Sequence, residues 1–418
     1  MLNKLTLTNI EYWAFCLLMM AFFAPGNTIG FVLVTIVLIT LVKFVKKQHP
    51  FKGYAGLILL PILFAILLLG MLHTSNTKDG WAIIERHYGL IGIPILTISI
   101  QQFSSQQRKN LLSVFIATGV VTGIICIAVA SKHYFDTGTV YTATQKGHFV
   151  YNHFMHHRLS SPIQLHAIYY SLYLAFAAIV VLNRLLYERL NWSRKLLYGL
   201  IFVFFCVLIL LLKSSIFALF FPLACLILLF FRYRKQLLSS ARTQIALLLI
   251  LIGTCVFSYK GMQSKLETFS LQYELSDAHL TPLKMRLAMW ECTWETITDA
   301  PWTGQGTGDG DDELINTYER LGFTIGANDR YNAHNMYLQY WLTNGILAAM
   351  VVSAILIVLL RRAIRNSNLV FLSFVLLFAA FSFTESTMLR QNGIVFFLVI
   401  SSLFYWHPKL WDESHELA

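Results

Sequence analysis

The sequence predicts an all-α fold, a polytopic membrane bundle of about twelve transmembrane helices with one large helical loop on the non-cytoplasmic side. Three observations carry this expectation. Of 418 residues, 56% are hydrophobic and only 13% charged, whereas soluble domains carry roughly a quarter charged residues. The apolar residues come in runs of roughly twenty, the length a helix rising about 1.5 Å per residue needs to cross about 30 Å of hydrocarbon. Between those runs the basic residues gather in short clusters, which is where the positive-inside rule places them in cytoplasmic connections.

Taken in order, the spans are expected at roughly 10–25, 28–45, 54–73, 88–103, 110–131, 163–183, 195–212, 214–231, 242–259, 335–360, 367–384 and 393–406. The first run begins near Ile10, lacks a small-residue cleavage site and leads quickly into the second, so it reads as a retained helix. Four clusters mark cytoplasmic connections: Lys43, Lys46, Lys47 and Lys52; Arg184, Arg189, Arg194 and Lys195; Arg232, Arg234, Lys235 and Arg242; and Arg361, Arg362 and Arg365. An even number of spans then puts both termini in the cytoplasm. Residues 195–231 are almost continuously apolar, broken only by Lys213, Ser214 and Ser215, and form either a tight hairpin or one kinked helix. Two loops face the other side: 132–162, rich in His and Tyr, and 260–334, the one substantial soluble segment. With no internal repeat or linker, residues 1–418 read as a single membrane domain that holds the 260–334 loop within it. A loop of this size between helices is usually functional.

Several function classes are excluded at this stage. The net charge of +11 would suit nucleic acid only if the basic residues shared one soluble face with stacking aromatics, and they do not. Five of the six cysteines (Cys16, Cys126, Cys206, Cys225 and Cys255) lie in apolar runs and only Cys292 in a soluble segment, so neither a disulfide framework nor a zinc spacing follows. His148, His153, His156, His157 and His166 place two histidines four apart, but no carboxylate or cysteine shares that spacing. Asp309, Asp311, Asp312 and Glu313 do not match a calcium loop and read as a solvated acidic turn. No metal and no cofactor are therefore expected. Arg158, within the histidine-rich stretch, is a candidate contact for glycan or phosphate.

The large loop carries three patterns. Pro282 to Trp290 reads as an amphipathic helix, with Arg286, Met289 and Trp290 at i, i+3 and i+4. Asp299 to Asp309 is a glycine-rich turn, DAPWTGQGTGD. The loop closes on Asn332-Ala333-His334-Asn335-Met336-Tyr337-Leu338, and Gly345 follows where the next membrane helix begins. RLAMWECTWETITDAPWTGQGTGD followed by NAHNMYLQYWLTNG resembles the bacterial O-antigen ligase and O-antigen polymerase superfamily. The large periplasmic loop of that superfamily carries an Arg-x-x-x-Trp helix, a glycine turn ending in Asp and a final His-Asn-x-x-Leu. TESTMLRQNG at 384–393 is similar to its Glu and Arg-Gln-x-Gly element before the last helix. The resemblance is specific over 283–345 and 384–397.

What the resemblance implies is an inverting, metal-independent glycosyltransferase of the bacterial inner membrane, working on the periplasmic side. It would move a glycan from an undecaprenyl-pyrophosphate carrier to a sugar hydroxyl of lipid A-core, with membrane lipid and no nucleic acid among its partners. The superfamily's polymerases and protein O-oligosaccharyltransferases are the near alternatives; a lipid-linked glycan transporter or flippase is the alternative of another class. The loop motif favours the ligase, and nearly charge-free span centres count against the transporter.

The residue types suit that reaction. A pyrophosphate leaving group needs fixed positive charge, which guanidinium supplies bidentately, and Arg286 is the expected residue. An acceptor hydroxyl needs a base whose pKa lies near neutrality, and the imidazole of His334 is expected as that base or as the group that orients the hydroxyl, with Asn335 either beside it at the site or capping the following helix. Many members carry a Ser-Arg element at the outer end of a mid-chain helix; Leu212-Lys213-Ser214-Ser215-Ile216 lacks that arginine, and Lys213 either replaces it as a point charge or snorkels. Arg86 beside Glu85 and Arg390 near Glu385 either clamp lipid phosphate or form local ion pairs.

Overall fold

The computed structural model describes residues 7–26, 28–46, 58–92, 100–143, 150–239, 245, 273–276 and 280–405. Its helices follow the apolar runs: α1 Leu7–Ala21, α2 Thr28–Val45, α3 Leu59–Gly70, α4 Thr77–His87, α5 Ser105–Thr137, α6 His156–Ser160, α7 Ala167–Tyr187, α8 Trp192–Leu211 and α9 Ser215–Ser239. A loop module of α10 Pro282–Asp299, α11 Gly310–Leu321 and α12 Thr324–Asn328 precedes α13 Met336–Arg365, α14 Leu369–Ser382 and α15 Gln391–Tyr405. The all-α expectation holds except for a short antiparallel hairpin, Tyr141–Ala143 with Val150–Asn152, in which Tyr141 faces Asn152.

Among the described residues, six helices are long and apolar enough to cross a membrane, and four shorter apolar helices accompany them. Each falls on an expected span. The expected span at 242–259 lies outside the described residues except for residue 245, and of 88–103 the residues 93–99 do likewise. In the described part of that region, polar α4 lies ahead of the apolar stretch and contains Arg86.

Helix α7 is apolar on all sides and almost wholly buried, which makes it the centre of the bundle. It packs on α5, α8 and α9, while α9 packs on α14, α14 on α13, and α13 on α3. The 195–231 stretch is a hairpin. Arg184 near the end of α7 donates to Tyr198 Oη early in α8 at 3.1 Å, so those two run antiparallel. Tyr187 donates to the Leu228 carbonyl at 3.4 Å and Arg232 to the Leu186 carbonyl at 3.1 Å, so α9 runs alongside α7 in the same direction. The turn between α8 and α9 is completed by Lys213 at φ +51°, a left-handed conformation uncommon outside glycine.

Lys43 is not a solvated member of a basic cluster. It is fully buried, pairs with Glu11 Oε2 at 2.5 Å and donates to Gln102 Oε1 at 2.8 Å, while Thr40 donates to Glu11 Oε1 at 2.7 Å. A charge removed from water persists only when paired and hydrogen-bonded in this way.

Candidate active site

Helix α10 starts at Thr281, whose hydroxyl caps the Lys284 N–H, with Pro282 in the first turn where its missing donor costs nothing. One turn further on, Arg286 leaves the loop module and reaches the connection between α14 and α15. Its Nε donates to the Thr384 carbonyl at 3.2 Å and its Nη2 to Glu385 Oε1 at 3.3 Å. The other carboxylate oxygen of Glu385 lies 3.2 Å from His334 Nδ1. Two segments about fifty and a hundred residues away in sequence thus meet on one carboxylate. Burial alone would raise the pKa of Glu385, but the hydrogen bond and charge of His334, with Arg286 and His166, outweigh it and hold the carboxyl below its ordinary value.

His334 is locked where it stands. Its backbone is left-handed, φ +43°, and its N–H donates to Asn332 Oδ1 at 2.9 Å, an oxygen that also accepts from Ser386 at 3.3 Å. Asn335 caps α13: its Oδ1 accepts from the Tyr337 and Leu338 N–H groups at 3.0 and 3.1 Å. Of the two roles expected for Asn335, this geometry is the cap. With Nδ1 turned to Glu385, His334 keeps Nε2 for anything bound at the site, and its side chain retains 28% exposure.

The opposite flank is made by α6, the start of α7 and the α8–α9 turn. His156 and His157 rings lie 4.0 Å apart between centroids, and His157 and His166 also 4.0 Å apart. His156 sits within the field of Lys213, and His166 within the fields of Glu385 and Arg390. Burial first, then the neighbouring imidazoles and cations, lower the pKa of all three, His157 and His166 to about 4. Lys213 and Arg390 are thus brought to the same recess as Arg286 and His334.

Arg390 does not pair with Glu385, whose oxygens are taken by Arg286 and His334; among the described residues Arg390 makes no ion pair. Arg86 is exposed on α4, and its charge acts on half-buried Asp311 of α11, which accepts from Gln339 at 2.8 Å; desolvation leaves the Asp311 pKa raised. Arg158 is exposed on α6, on the side of His153. The structure therefore gathers His334, Arg286, Lys213 and Arg390, with Asn335 as support, and gives Arg86 and Arg158 other neighbours. Among the described residues no group of three or more His, Cys, Asp or Glu side chains is placed to hold a metal ion.

The glycine-rich turn has a mechanical role. Helix α13 breaks at Asn344 and Gly345, the latter at φ +77°. The turn satisfies the backbone groups that the break releases: Gln305 and Gly306 donate to the Leu342 and Thr343 carbonyls at 2.8 and 3.0 Å, and Ile346 donates to the Pro301 carbonyl at 3.1 Å. Asp309 accepts from the Ser75 and Asn76 N–H groups at 2.7 and 2.6 Å, which ties the turn to the start of α4.

Sequence reasoning singled out His334 and Arg286, which the structure brings together, but missed Glu385 as the group that joins them, and it set the histidines aside. A local motif marks Glu385, but its pairing, like the histidine row, depends on contacts between distant segments.

Fold and site together define a multi-pass membrane protein that gathers an imidazole, a carboxylate and several cations at one rim of its bundle. Residues 199–353 match the family model for O-antigen ligase, a likeness to that family over this stretch of the chain. The match contains Lys213, Arg286 and His334; His156, His157, His166, Glu385 and Arg390 lie outside it. No curated protein matches the chain.

Proposed function

We propose that the chain is an inverting glycosyltransferase that moves a glycan from undecaprenyl pyrophosphate to a sugar hydroxyl of lipid A-core, on the periplasmic side of the inner membrane. The observation that supports this most is the His334–Glu385–Arg286 chain, at 3.2 and 3.3 Å, on a rim where lipid-linked and water-soluble groups can meet.

His334 Nε2 takes the proton of the acceptor hydroxyl as its oxygen attacks the anomeric carbon. Glu385 fixes the ring through Nδ1, as a carboxylate does in other oriented imidazole bases. Departure of the carrier leaves its electron pair on a phosphate oxygen. Arg286 spends one N–H on Thr384 and one on Glu385, and of its five donors three are left for that oxygen and its neighbours. Lys213 and Arg390 add charge on the other flank, so the phosphate charge is met by side chains rather than by a metal. Attack opposite the leaving group inverts the anomeric centre.

The test is transfer in a purified system with lipid-linked polysaccharide and lipid A-core. His334→Ala is expected to lower turnover by about a hundredfold or more. Full activity of that variant would remove the base and the reading with it. In cells lacking the protein, intact polymer left on its carrier is the result expected of a ligase; single unpolymerised units would make the chain a polymerase instead.

A further inference from the structure

His156, His157 and His166 take no part in the reaction as described so far, yet they form a continuous row. Ala167 N–H donates to His157 Nδ1 at 3.3 Å and Ile168 N–H to His166 Nδ1 at 3.4 Å. A ring nitrogen that accepts carries no proton, so both rings hold theirs on Nε2, on the side away from the backbone of α7. All three rings keep accessible surface. His156 stands at φ +53°, so three of the six non-glycine residues with positive φ among the described residues are His156, Lys213 and His334, all at this recess. Backbone strain held in one place by the surrounding fold is a mark of a functional site.

The groups that face the row come from every neighbouring element: Lys213 from the α8–α9 turn, Glu385 and Arg390 from the α14–α15 connection, Tyr169 from α7, and His153 and Arg158 at the outer margin. The one carboxylate, Glu385, is already committed on both oxygens. Neutral N–H donors set between two cations therefore form a surface that suits an extended, multiply charged anion.

We propose that His156, His157 and His166, between Lys213 and Arg390, bind the pyrophosphate of a polyprenyl-pyrophosphate donor and take up protons as it docks. The proposal rests on the functional reading above and assigns the row's ligand within it. At rest, burial and the neighbouring imidazole, joined at His166 by Arg390, hold the pKa of His157 and His166 at about 4, so both are neutral at pH 7. An arriving phosphate brings opposite charge and offsets Lys213 and Arg390, which favours the imidazolium form; His157 and His166 take that proton on Nδ1 as their long backbone bonds, 3.3 and 3.4 Å, give way and both ring N–H groups turn to the phosphate. Proton binding and anion binding then reinforce each other, so affinity for the donor rises as pH falls. The row would thereby add positive charge only once the donor is in place.

Calorimetric titration of the detergent-solubilised full chain tests this, using farnesyl pyrophosphate and, in parallel, inorganic pyrophosphate. Each titration is run between pH 6 and pH 8 in two buffers of different ionisation enthalpy. For farnesyl pyrophosphate the wild type is expected to take up a large fraction of one proton near pH 6 and to bind several-fold more tightly there than at pH 8. The double variant His157→Gln, His166→Gln keeps an N–H donor at each position and is expected to lose that uptake and the pH-dependence of affinity. Inorganic pyrophosphate is expected to show the same uptake at weaker affinity. Equal uptake in the double variant, no uptake in the wild type, or equally tight binding of inorganic pyrophosphate would each overturn the proposal. His334→Ala separates the two readings: it should lose transfer while keeping proton uptake. Transfer by that variant sinks the function proposed above, whereas missing uptake alongside abolished transfer sinks only the histidine row.

Discussion

At the scale of single residues, the centre of the site is Glu385, because it holds His334, the proposed base, and Arg286, the proposed phosphate-binding cation, in fixed relation. Glu385→Gln keeps the shape but exchanges an acceptor-only carboxylate for an amide, which cannot accept from Arg286 and His334 with the same charge. Turnover is expected to fall by about a hundredfold while the protein remains folded, because an imidazole base without its carboxylate loses orientation. Wild-type turnover in the purified assay would show that Glu385 is only a surface ion-pair partner. Arg286→Lys should retain more activity than Arg286→Ala, since lysine keeps the charge but cannot hold Thr384, Glu385 and phosphate at once; equal rates for both variants and the wild type would take Arg286 out of the site. His334 and Arg286 were legible in the sequence because a short motif surrounds each. Glu385 was visible but placed beside the wrong partner: proximity in sequence suggested Arg390, whereas folding delivers Arg286 from α10 and His334 from the start of α13. The histidine row shows the same limit, for its proton positions depend on backbone groups of α7 that only the folded chain brings near.

At the scale of elements, the break in α13 decides where His334 stands, and the glycine turn holds that break. Gly345 is confined in two ways: its φ is positive, and a Cβ there would lie 2.0 Å from the Trp302 carbonyl oxygen. Gly304 is similar, with backbone nitrogen of Asn344 at 2.4 Å. Backbone cannot retreat as a side-chain tip can, so Gly345→Ala is expected to cost well over the roughly 1 kcal/mol that is the least a non-glycine residue loses in such a conformation. Thermal unfolding in detergent should show a clear drop in midpoint, with Asp309→Ala a milder case that loses two charged hydrogen bonds, on the order of 2 kcal/mol. An unchanged midpoint for Gly345→Ala would mean that the turn does not clamp the helix. The sequence displayed these glycines plainly, and a phosphate-cradling loop would have looked much the same. What separates the two is that Gln305 and Gly306 point their N–H groups at α13 carbonyls, a fact of tertiary structure.

At the scale of the whole molecule, the distribution of charge gives the bundle a direction. Arg184 at the end of α7, Arg232 in α9, Lys43 at the end of α2 and Arg362 at the end of α13 gather at the end away from His334; Arg362 is fixed there by donating to the Tyr405 carbonyl at 3.1 Å. Arg184, Arg232 and Arg362, described members of three clusters that the sequence assigned to cytoplasmic connections, thus lie at helix ends remote from His334. By the positive-inside rule, the orientation proposed here has the rim with His334, Arg286 and the histidines facing outward. A single cysteine on each side tests this with a membrane-impermeant maleimide. Glu319→Cys on exposed α11 should label in cells whose outer membrane admits the reagent, and Ser193→Cys at the start of α8 should label only after the inner membrane is opened. The native cysteines that are described are buried or half-buried, which keeps the background low. Labelling in the reverse order would put the base and its cations in the cytoplasm, on the wrong side for a periplasmic acceptor, and the proposed glycan transfer would fall with the orientation.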